Sequence, residues 1–539
     1  MRNLIRLSIT FWAVLWAVGH GTAALSQTAP LAGLPEKLGT VNFPTSCQSD
    51  AQKQFIRGMA LYHSFHWVEA SKSFNAAAQA DSSCAMAYWG LSLVAMDNPF
   101  TWPLTGKALV DGLAQVEKAK SAQTATPRER AYVAAAEAFF KDAGKIPAQT
   151  RQLQYELSLE KMTRDYPQDA EAKILHAMVQ SANFDPNDKA YTNQLKATGV
   201  LEKLYVELPD HPGVSHYLIH SYDFPPLAHR GLQAAYRYRD TAPSAPHALH
   251  MPSHIFTRIG LWEDSVTANE SVLKTTKAAR TVLHSFDYMV YAWLQLGKDA
   301  SAQKILRDIH AMPKVDDIAL VSGYALAAIP ARLLVERGRW AEAAQLKAFP
   351  DEIDYSWPSL PHANAIRIFA RGLGAARSGS PRAARGELAQ LVKLKSDMAE
   401  AKLHYWADQA DIQMKVVEAW TLKAEGNPVA AVAMLREAAG HEDRTEKVAV
   451  TPGPIKPARE LFGEMLAELG QHAEAVAEFE AVLKKEPNRL AAVWGAARSA
   501  EQLGDRSRAR GHFTAVAKLL SAADAGHPEL KMASDFLAR

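Results

Sequence analysis

Cysteine is almost absent from the sequence: among 539 residues only Cys47 and Cys84 carry a thiol. Two thiols are too few for a tetrathiolate zinc site or an iron–sulfur cluster, so the common cysteine-rich metal centres are excluded. In an oxidising compartment the two cysteines are expected to form a disulfide. Two unpaired, buried thiols are the alternative.

An excess of charge of either sign is also missing. The chain has 60 Lys and Arg residues against 58 Asp and Glu residues, which gives a formal net charge of +2. A nearly neutral chain offers no electrostatic basis for binding nucleic acid or an anionic membrane surface. Alternating runs of β-branched residues are few and alanine is abundant, so we expect closely packed helices and no β-rich fold.

Long hydrophobic runs are missing except near the N-terminus. There, Arg2 and Arg6 precede an apolar run over residues 7–18, and small residues follow at 21–24. The run is shorter than the about 20 residues of a membrane-spanning helix. The pattern is typical of a cleavable secretory signal over residues 1–24, followed by a linker over 25–46. We expect a periplasmic or secreted protein with no transmembrane segment after cleavage; a retained N-terminal anchor is the alternative.

Small and aromatic residues recur at fixed spacings near both ends of the chain. These residues are Gly58, Ala70, Phe74 and Ser82; Gly463, Ala475, Phe479 and Pro487; and Ala497, Ala509 and Phe513. Small residues let two antiparallel helices approach closely, and an aromatic ring fills the space between them. The spacings resemble the tetratricopeptide signature. That resemblance implies an all-α, right-handed solenoid of helical hairpins over roughly residues 47–520, degenerate in its centre.

The helical pattern divides into three parts. We expect an N-terminal solenoid over residues 47–350 with histidine-rich central units, a helical middle segment over 351–455 and C-terminal repeats over 456–539. Proline-containing stretches at 98–103, 349–361 and 448–457 predict loops that could cover a groove. Thr126, followed by Pro127 and Glu129, predicts a helix start with a capping box.

Histidine is concentrated in the centre of the chain. Eight of the 19 histidines lie between residues 211 and 284, namely His211, His216, His220, His229, His247, His250, His254 and His284. In tetratricopeptide arrays the first helix of each unit lines the concave face, and most of these histidines fall in first helices. We therefore expect several imidazoles to point into the groove together.

Turn glycines indicate the heights of these residues along neighbouring helices. His247 and His284 each stand 13 residues before such a glycine, and His250 and Asp287 each stand 10 residues before one. Residues that stand at the same distance before the turn glycines of neighbouring units are expected to lie at the same height along neighbouring helices. Pro252 disfavours a regular helix between His250 and the next histidine, so this pair is not a simple one-turn pair.

A metal site is the sharper interpretation of this cluster. The candidate ligands are His216, His220, His247, His250, His254, His284, Asp223 and Asp287. Imidazole with a nearby carboxylate suits transition metals, of which we expect zinc or copper. The alternative is that the histidines are hydrogen-bonded packing residues on the wall of the groove.

Two functions therefore remain. The resemblance implies an exported scaffold that binds a protein or peptide partner in its concave groove, and this is our first prediction. The alternative is a metal-binding protein or metal-dependent enzyme that uses the central histidines. The sequence contains no nucleophilic-serine elbow, no phosphate-binding glycine loop with lysine and no His-Glu-x-x-His motif. Enzyme activity is left undecided.

Overall fold

The computed structural model describes residues 35–104, 106–312, 320–348, 360–448 and 450–539. Within these ranges the chain forms α-helices joined by turns, with two short 3-10 helices and no β-strand. The prediction of an all-α fold is confirmed. The proposed signal at 1–24, the first part of the linker at 25–46 and most of the loop at 349–361 lie outside the described residues. None of the described helices combines the length and the apolar composition needed to cross a bilayer.

The first eight helices form the N-terminal repeats, and each packs against the next. They are α1 Ser49–His63, α2 Trp67–Ala80, α3 Ala85–Met96, α4 Lys107–Ser121, α5 Pro127–Phe140, α6 Ala148–Asp165, α7 Ala170–Ala182 and α8 Thr192–Glu207. Phe74 on α2 fills the space between α1 and α3. A Cβ atom added at Gly58 or at Gly90 would lie 2.5 Å from its ring. Glycine at these two positions is what allows both neighbouring helices to approach the aromatic side chain.

The next eight helices form the centre. They are α9 Pro212–Tyr222, α10 Leu232–Thr241, α11 Pro246–His250, α12 Pro252–Arg258, α13 Trp262–Thr275, α14 Ala279–Gln295, α15 Asp299–His310 and α16 Leu320–Val335. Pro252 separates α11 from α12, but Met251 keeps helical dihedral angles (φ −53°, ψ −35°). The helical path therefore continues through Met251, and Pro252 interrupts only the hydrogen-bond pattern, because proline has no amide hydrogen to donate.

Ten further helices complete the described chain. They are α17 Trp340–Ala343, α18 Pro361–Arg377, α19 Pro381–Glu400, α20 His404–Ala424, α21 Pro428–Arg444, α22 Ala458–Glu468, α23 His472–Lys485, α24 Leu490–Gln502, α25 Arg506–Leu519 and α26 Pro528–Leu537. Phe479 on α23 repeats the role of the N-terminal phenylalanine, because Cβ atoms at Gly463 and Gly495 would lie 2.9 and 2.4 Å from its ring. The helices at both ends thus pack as tetratricopeptide-type hairpins.

Distant repeats touch, because the array turns back on itself. At the end of α1, His63 Nδ1 lies 2.9 Å from the Tyr217 hydroxyl of α9. The indole of Trp262 donates to the carbonyl oxygen of Asn488 over 2.9 Å, although 226 residues separate them. The central helices consequently contact both the N-terminal and the C-terminal repeats.

Two local predictions in the N-terminal part are confirmed. Thr126 Oγ1 accepts from the Glu129 amide over 3.2 Å, and the Glu129 carboxylate accepts from the Thr126 amide over 2.6 Å, so the capping box is complete. Cys47 and Cys84 are joined by a disulfide, with their Cα atoms 4.9 Å apart. Cys47 lies two residues before the start of α1, and Cys84 is the N-cap of α3, so the bond connects the starts of these two helices.

Replacing two helical glycines by alanine tests the packing of the repeats. Alanine stabilises an open helical position by roughly 0.5–1 kcal/mol relative to glycine, and nothing lies within 4 Å of a Cβ at Gly511. At Gly495 the same Cβ would meet the Phe479 ring, and overpacking of this kind costs about 1–3 kcal/mol. We expect Gly495→Ala to lower the midpoint of urea unfolding and Gly511→Ala to raise it or leave it unchanged. Equal shifts of the two variants would contradict the packing role of Gly495.

Candidate metal centre

Six imidazoles meet on the inner face of the central repeats. They are His216 and His220 on α9, His247 and His250 on α11, His254 on α12 and His284 on α14. Four of the six are buried, whereas His247 and His284 are partly exposed. The structure therefore brings together all the histidines that the sequence analysis proposed as metal ligands.

The six imidazoles fall into two groups of three. Triad A consists of His216, His220 and His247, and triad B consists of His250, His254 and His284. Within each triad, one nitrogen from every ring lies within 4.8 Å of the corresponding nitrogens of the other two. A single ion bound by three imidazoles requires this kind of convergence, with metal–nitrogen bonds of about 2 Å. The sequence analysis treated the histidines as one cluster and did not separate them into two groups.

Hydrogen bonds fix the tautomers of two rings in triad B. His250 Nδ1 lies 2.7 Å from Asn269 Oδ1, and the Asn269 amide nitrogen donates to the Ser265 carbonyl over 2.8 Å, which orients that side chain. His254 Nδ1 lies 2.9 Å from Asp223 Oδ2. Both partner atoms only accept hydrogen bonds, so each Nδ1 carries the hydrogen. The Nε2 atom of each neutral ring is therefore unprotonated.

These two unprotonated nitrogens face each other. His250 Nε2 and His254 Nε2 are 3.1 Å apart, and neither neutral ring has a hydrogen to place between them. Burial lowers the pKa of His250 to about 3 and also lowers the pKa of His254, so protonation of either ring is disfavoured. A metal ion removes the repulsion between two such lone pairs. His284 supplies a third nitrogen, because its buried Nδ1 has no hydrogen-bond partner among the described residues.

Triad A has a similar arrangement with one difference. His216 Nδ1 donates to the His63 carbonyl oxygen over 2.6 Å, and His216 Nε2 lies 3.1 Å from His247 Nε2. A hydrogen bond donated by His247 Nε2 to His216 Nε2 would satisfy these two nitrogens. The third ring would still have an unsatisfied atom, because His220 Nε2 is buried and has no hydrogen-bond partner among the described residues. The His220 ring stacks on Phe100 with centroids 4.0 Å apart, so the predicted loop at 98–103 covers one side of the triad.

All three rings of triad A are held neutral. Burial is the largest cause that lowers the pKa of His216, His220 and His247 well below the ordinary value, and the neighbouring imidazoles add to it. Metal ions bind the neutral form of histidine, so this environment favours the ligand state. The same two causes lower the pKa of His284 in triad B.

Asp223 lies behind triad B and not within it. Its Oδ1 accepts from Arg258 Nε over 2.8 Å, and its Oδ2 accepts from Lys447 Nζ over 2.8 Å as well as from His254 Nδ1. Burial opposes ionisation of this carboxyl, but Lys447 and Arg258 hold its pKa well below the usual range. Burial lowers the pKa of Lys447 to about 8. The carboxylate thus orients His254, a common arrangement behind metal-bound histidines.

Asp287, the other predicted carboxylate ligand, belongs to neither triad. Its Oδ1 accepts from Arg332 Nε over 3.0 Å. Arg332 also donates to the Gly453 carbonyl over 2.7 Å and to Thr451 Oγ1 over 3.1 Å. The predicted loop at 448–457 is therefore tied to the central helices through the buried pair of Asp287 and Arg332. Burial raises the pKa of Asp287, although Arg332 opposes the shift.

A third group of ionisable side chains lies next to triad A. Glu171 accepts from both sides, with Oε2 3.0 Å from His63 Nε2 and Oε1 2.8 Å from His211 Nε2. Tyr217 occupies the other nitrogen of His63, so that ring is satisfied without a metal ion, whereas the buried Nδ1 of His211 has no partner among the described residues. His63 is not among the ligands predicted from the sequence. Its carbonyl oxygen nevertheless orients His216.

Comparisons with known proteins find only distant similarity. No protein-family model and no curated protein matches the sequence. Among solved structures, yeast Tom70 is 13% identical (TM-score 0.31; 90% of this chain, 95% of that chain). The P58(IPK) TPR domain is 14% identical (TM-score 0.23; 85% and 99%), and the Naa15/Naa10 complex bound to HypK-THB is 11% identical (TM-score 0.24; 91% and 73%). At such low values the type of repeat rests on the packing of this chain itself.

Removing the charge of Asp223 tests its role in the centre. The variant Asp223→Asn would leave Arg258 and Lys447 buried without a counter-charge, and breaking a buried pair in this way costs about 3–5 kcal/mol. We expect a matching loss in the free energy of unfolding, measured with urea. Asp240→Asn is the control, since that side chain is 77% exposed. A loss no larger than that of the control would show that Asp223 does not stabilise the centre.

Proposed function

We propose that this protein binds transition-metal ions through the buried histidines of its central repeats. The observation that carries the proposal is the 3.1 Å contact between the Nε2 atoms of His250 and His254. The Nδ1 atoms of His250 and His254 donate to Asn269 and Asp223, so in the neutral rings neither Nε2 atom carries a hydrogen. A hydrogen bond between the two rings therefore does not account for this contact.

The Tyr288 hydroxyl lies 3.3 Å from His254 Nε2, but it also lies 3.2 Å from the Thr451 carbonyl oxygen, to which it donates. It provides no partner for His250 Nε2. Packing histidines would be expected to pair each nitrogen with a suitable partner, as His63 does.

The chemistry of the two triads narrows the choice of metal. Each triad offers three neutral nitrogens and no oxygen or thiolate ligand. Magnesium and calcium prefer oxygen ligands, whereas imidazole suits zinc and copper. Acceptors hold the Nδ1 atoms of His216, His250 and His254, and such partners contribute to metal affinity by fixing the ring orientation. Zinc and copper are therefore the proposed ions.

We further propose that the protein works outside the cytoplasm. The disulfide between Cys47 and Cys84 supports this location, because disulfides persist in oxidising compartments. The signal-like pattern over residues 1–24 points the same way. Metal acquired there would reach the triads from the side on which His247 and His284 are partly exposed.

The chain is a helical-repeat scaffold, and binding of a protein or peptide partner stays a prediction. No contact among the described residues identifies the surface that such a partner would occupy. Metal binding is the function for which the geometry offers specific support.

The metal content of the purified protein tests this proposal. The chain should be produced in an oxidising compartment without a polyhistidine tag, and its metals should be counted by inductively coupled plasma mass spectrometry. We expect stoichiometric zinc or copper in the natural sequence and loss of at least one ion in His250→Ala. His229→Ala is the matched control, because His229 is exposed and belongs to neither triad. Absence of metal, together with no uptake of added zinc or copper, would refute the proposal.

A second variant separates loss of binding from loss of folding. Asn269→Ala removes the acceptor of His250 Nδ1 and leaves every proposed ligand in place. Loss of such a partner lowers metal affinity by roughly 10–100-fold. The affinity should be measured by competition with a chelator, on protein whose circular dichroism matches that of the natural sequence. Unchanged affinity would show that His250 is not a ligand.

A further inference from the structure

We infer that the two triads hold a pair of copper ions, one in each triad, close enough to bind dioxygen between them. This inference rests on the proposed function and goes beyond it, because metal binding requires neither two ions, nor copper, nor a shared ligand. Three features of the described residues carry it. They are the separation of the triads, the partial exposure of one ring in each triad and the charge of their surroundings.

The triads are neighbours and not independent sites. Between triads, the ring centroids of His247 and His250 are 6.2 Å apart, and those of His220 and His254 are 6.3 Å apart. Within triads the longest centroid separations are 6.4 Å, for His220 and His247, and 6.2 Å, for His254 and His284. The gap between the triads is thus no wider than the triads themselves. Proteins with two-metal sites hold their ions about 3.5–4 Å apart, and only neighbouring ligand sets of this kind allow such a distance.

Each triad has one ring that is not fully buried. In each triad two rings are buried and the third is partly exposed, and the partly exposed rings are those of His247 and His284. A small molecule from solvent would therefore reach each ion beside this third ligand.

The charge of the surroundings favours copper in its monovalent state. The six ligands are neutral, and the single carboxylate of Asp223 faces two cations, Arg258 and Lys447, so it leaves no negative charge to offset a metal ion. Burial of charge without a counter-ion is costly, and the cost rises steeply with the charge of the ion. A Cu⁺ ion adds one positive charge where Zn²⁺ would add two. Three imidazoles also leave a coordination position free for a further ligand.

The reaction of such a pair with dioxygen is balanced without any other reactant. Each Cu⁺ ion loses one electron and becomes Cu²⁺, and dioxygen gains both electrons and becomes peroxide bound between the ions. The O–O double bond is reduced to a single bond, and no proton is needed. The negative charge of the peroxide then offsets the higher charge of the oxidised ions.

Copper loading and spectroscopy test the pair directly. The full-length, metal-free protein should be loaded with Cu⁺ without oxygen and freed of unbound metal, and its copper counted before air is admitted. We expect two copper ions per chain and consumption of one dioxygen molecule per pair. The oxidised protein should show little electron paramagnetic resonance signal, because two bridged Cu²⁺ ions couple. His216→Ala combined with His247→Ala should hold one ion that gives a full signal, and exposed His404→Ala should behave as the natural sequence.

The possible outcomes separate this inference from the proposed function. One ion per chain, or two ions with full signal intensity, would overturn the copper pair and leave metal binding intact. Two zinc ions in the protein as purified, with no uptake of copper in their place, would do the same. Failure to bind any metal would overturn both.

Discussion

The structure of the centre depends on one buried carboxylate. Asp223 accepts from Arg258, from His254 and from Lys447, which lies 224 residues further along the chain. Three buried charges would be costly to desolvate separately, but together they satisfy one another. The same carboxylate fixes the orientation of an imidazole in triad B. Contact between distant repeats and orientation of a proposed metal ligand therefore depend on a single network.

Closure also explains why polar rings are found where a regular array would present an open groove. The loop that follows α21 reaches the centre, where the Thr451 carbonyl accepts from the Tyr288 hydroxyl over 3.2 Å. Tyr288 itself packs with its ring centroid 5.0 Å from those of His250 and His254. Once water is excluded, an unsatisfied imidazole nitrogen is costly. A cation that takes several of these nitrogens at once offsets that cost.

Much of the fold could be predicted from the sequence, because its signals are local. The spacing of Gly58 and Phe74 has a direct physical cause, because the glycine leaves space for the phenylalanine ring. The capping box at Thr126 needs only three neighbouring residues, and the pairing of two cysteines needs no geometry. The histidine cluster was also predictable, since equal offsets from turn glycines place His247 and His284 at equal heights.

The partners of these histidines could not be predicted in the same way. Asn269 lies on α13, and nothing in its local sequence indicates that it accepts from His250. Asp287 stands at the right height for a ligand, yet its pairing with Arg332 depends on how α14 packs against α16. His63 enters the centre only because the array turns back on itself. Periodicity predicts the height of a residue along its helix, but not the side chain that faces it from a distant repeat.

The proline at position 252 interrupts the helix without separating the two histidines on either side of it. Residues 250 and 254 of a helix lie on one face, and Met251 keeps helical dihedral angles between α11 and α12. The two ring planes stand at 90° with centroids 5.1 Å apart, and their Nε2 atoms lie 3.1 Å apart. Two histidines one turn apart on a helix can bind one metal ion. The proline that weakens the prediction of a one-turn pair therefore leaves that pair in place.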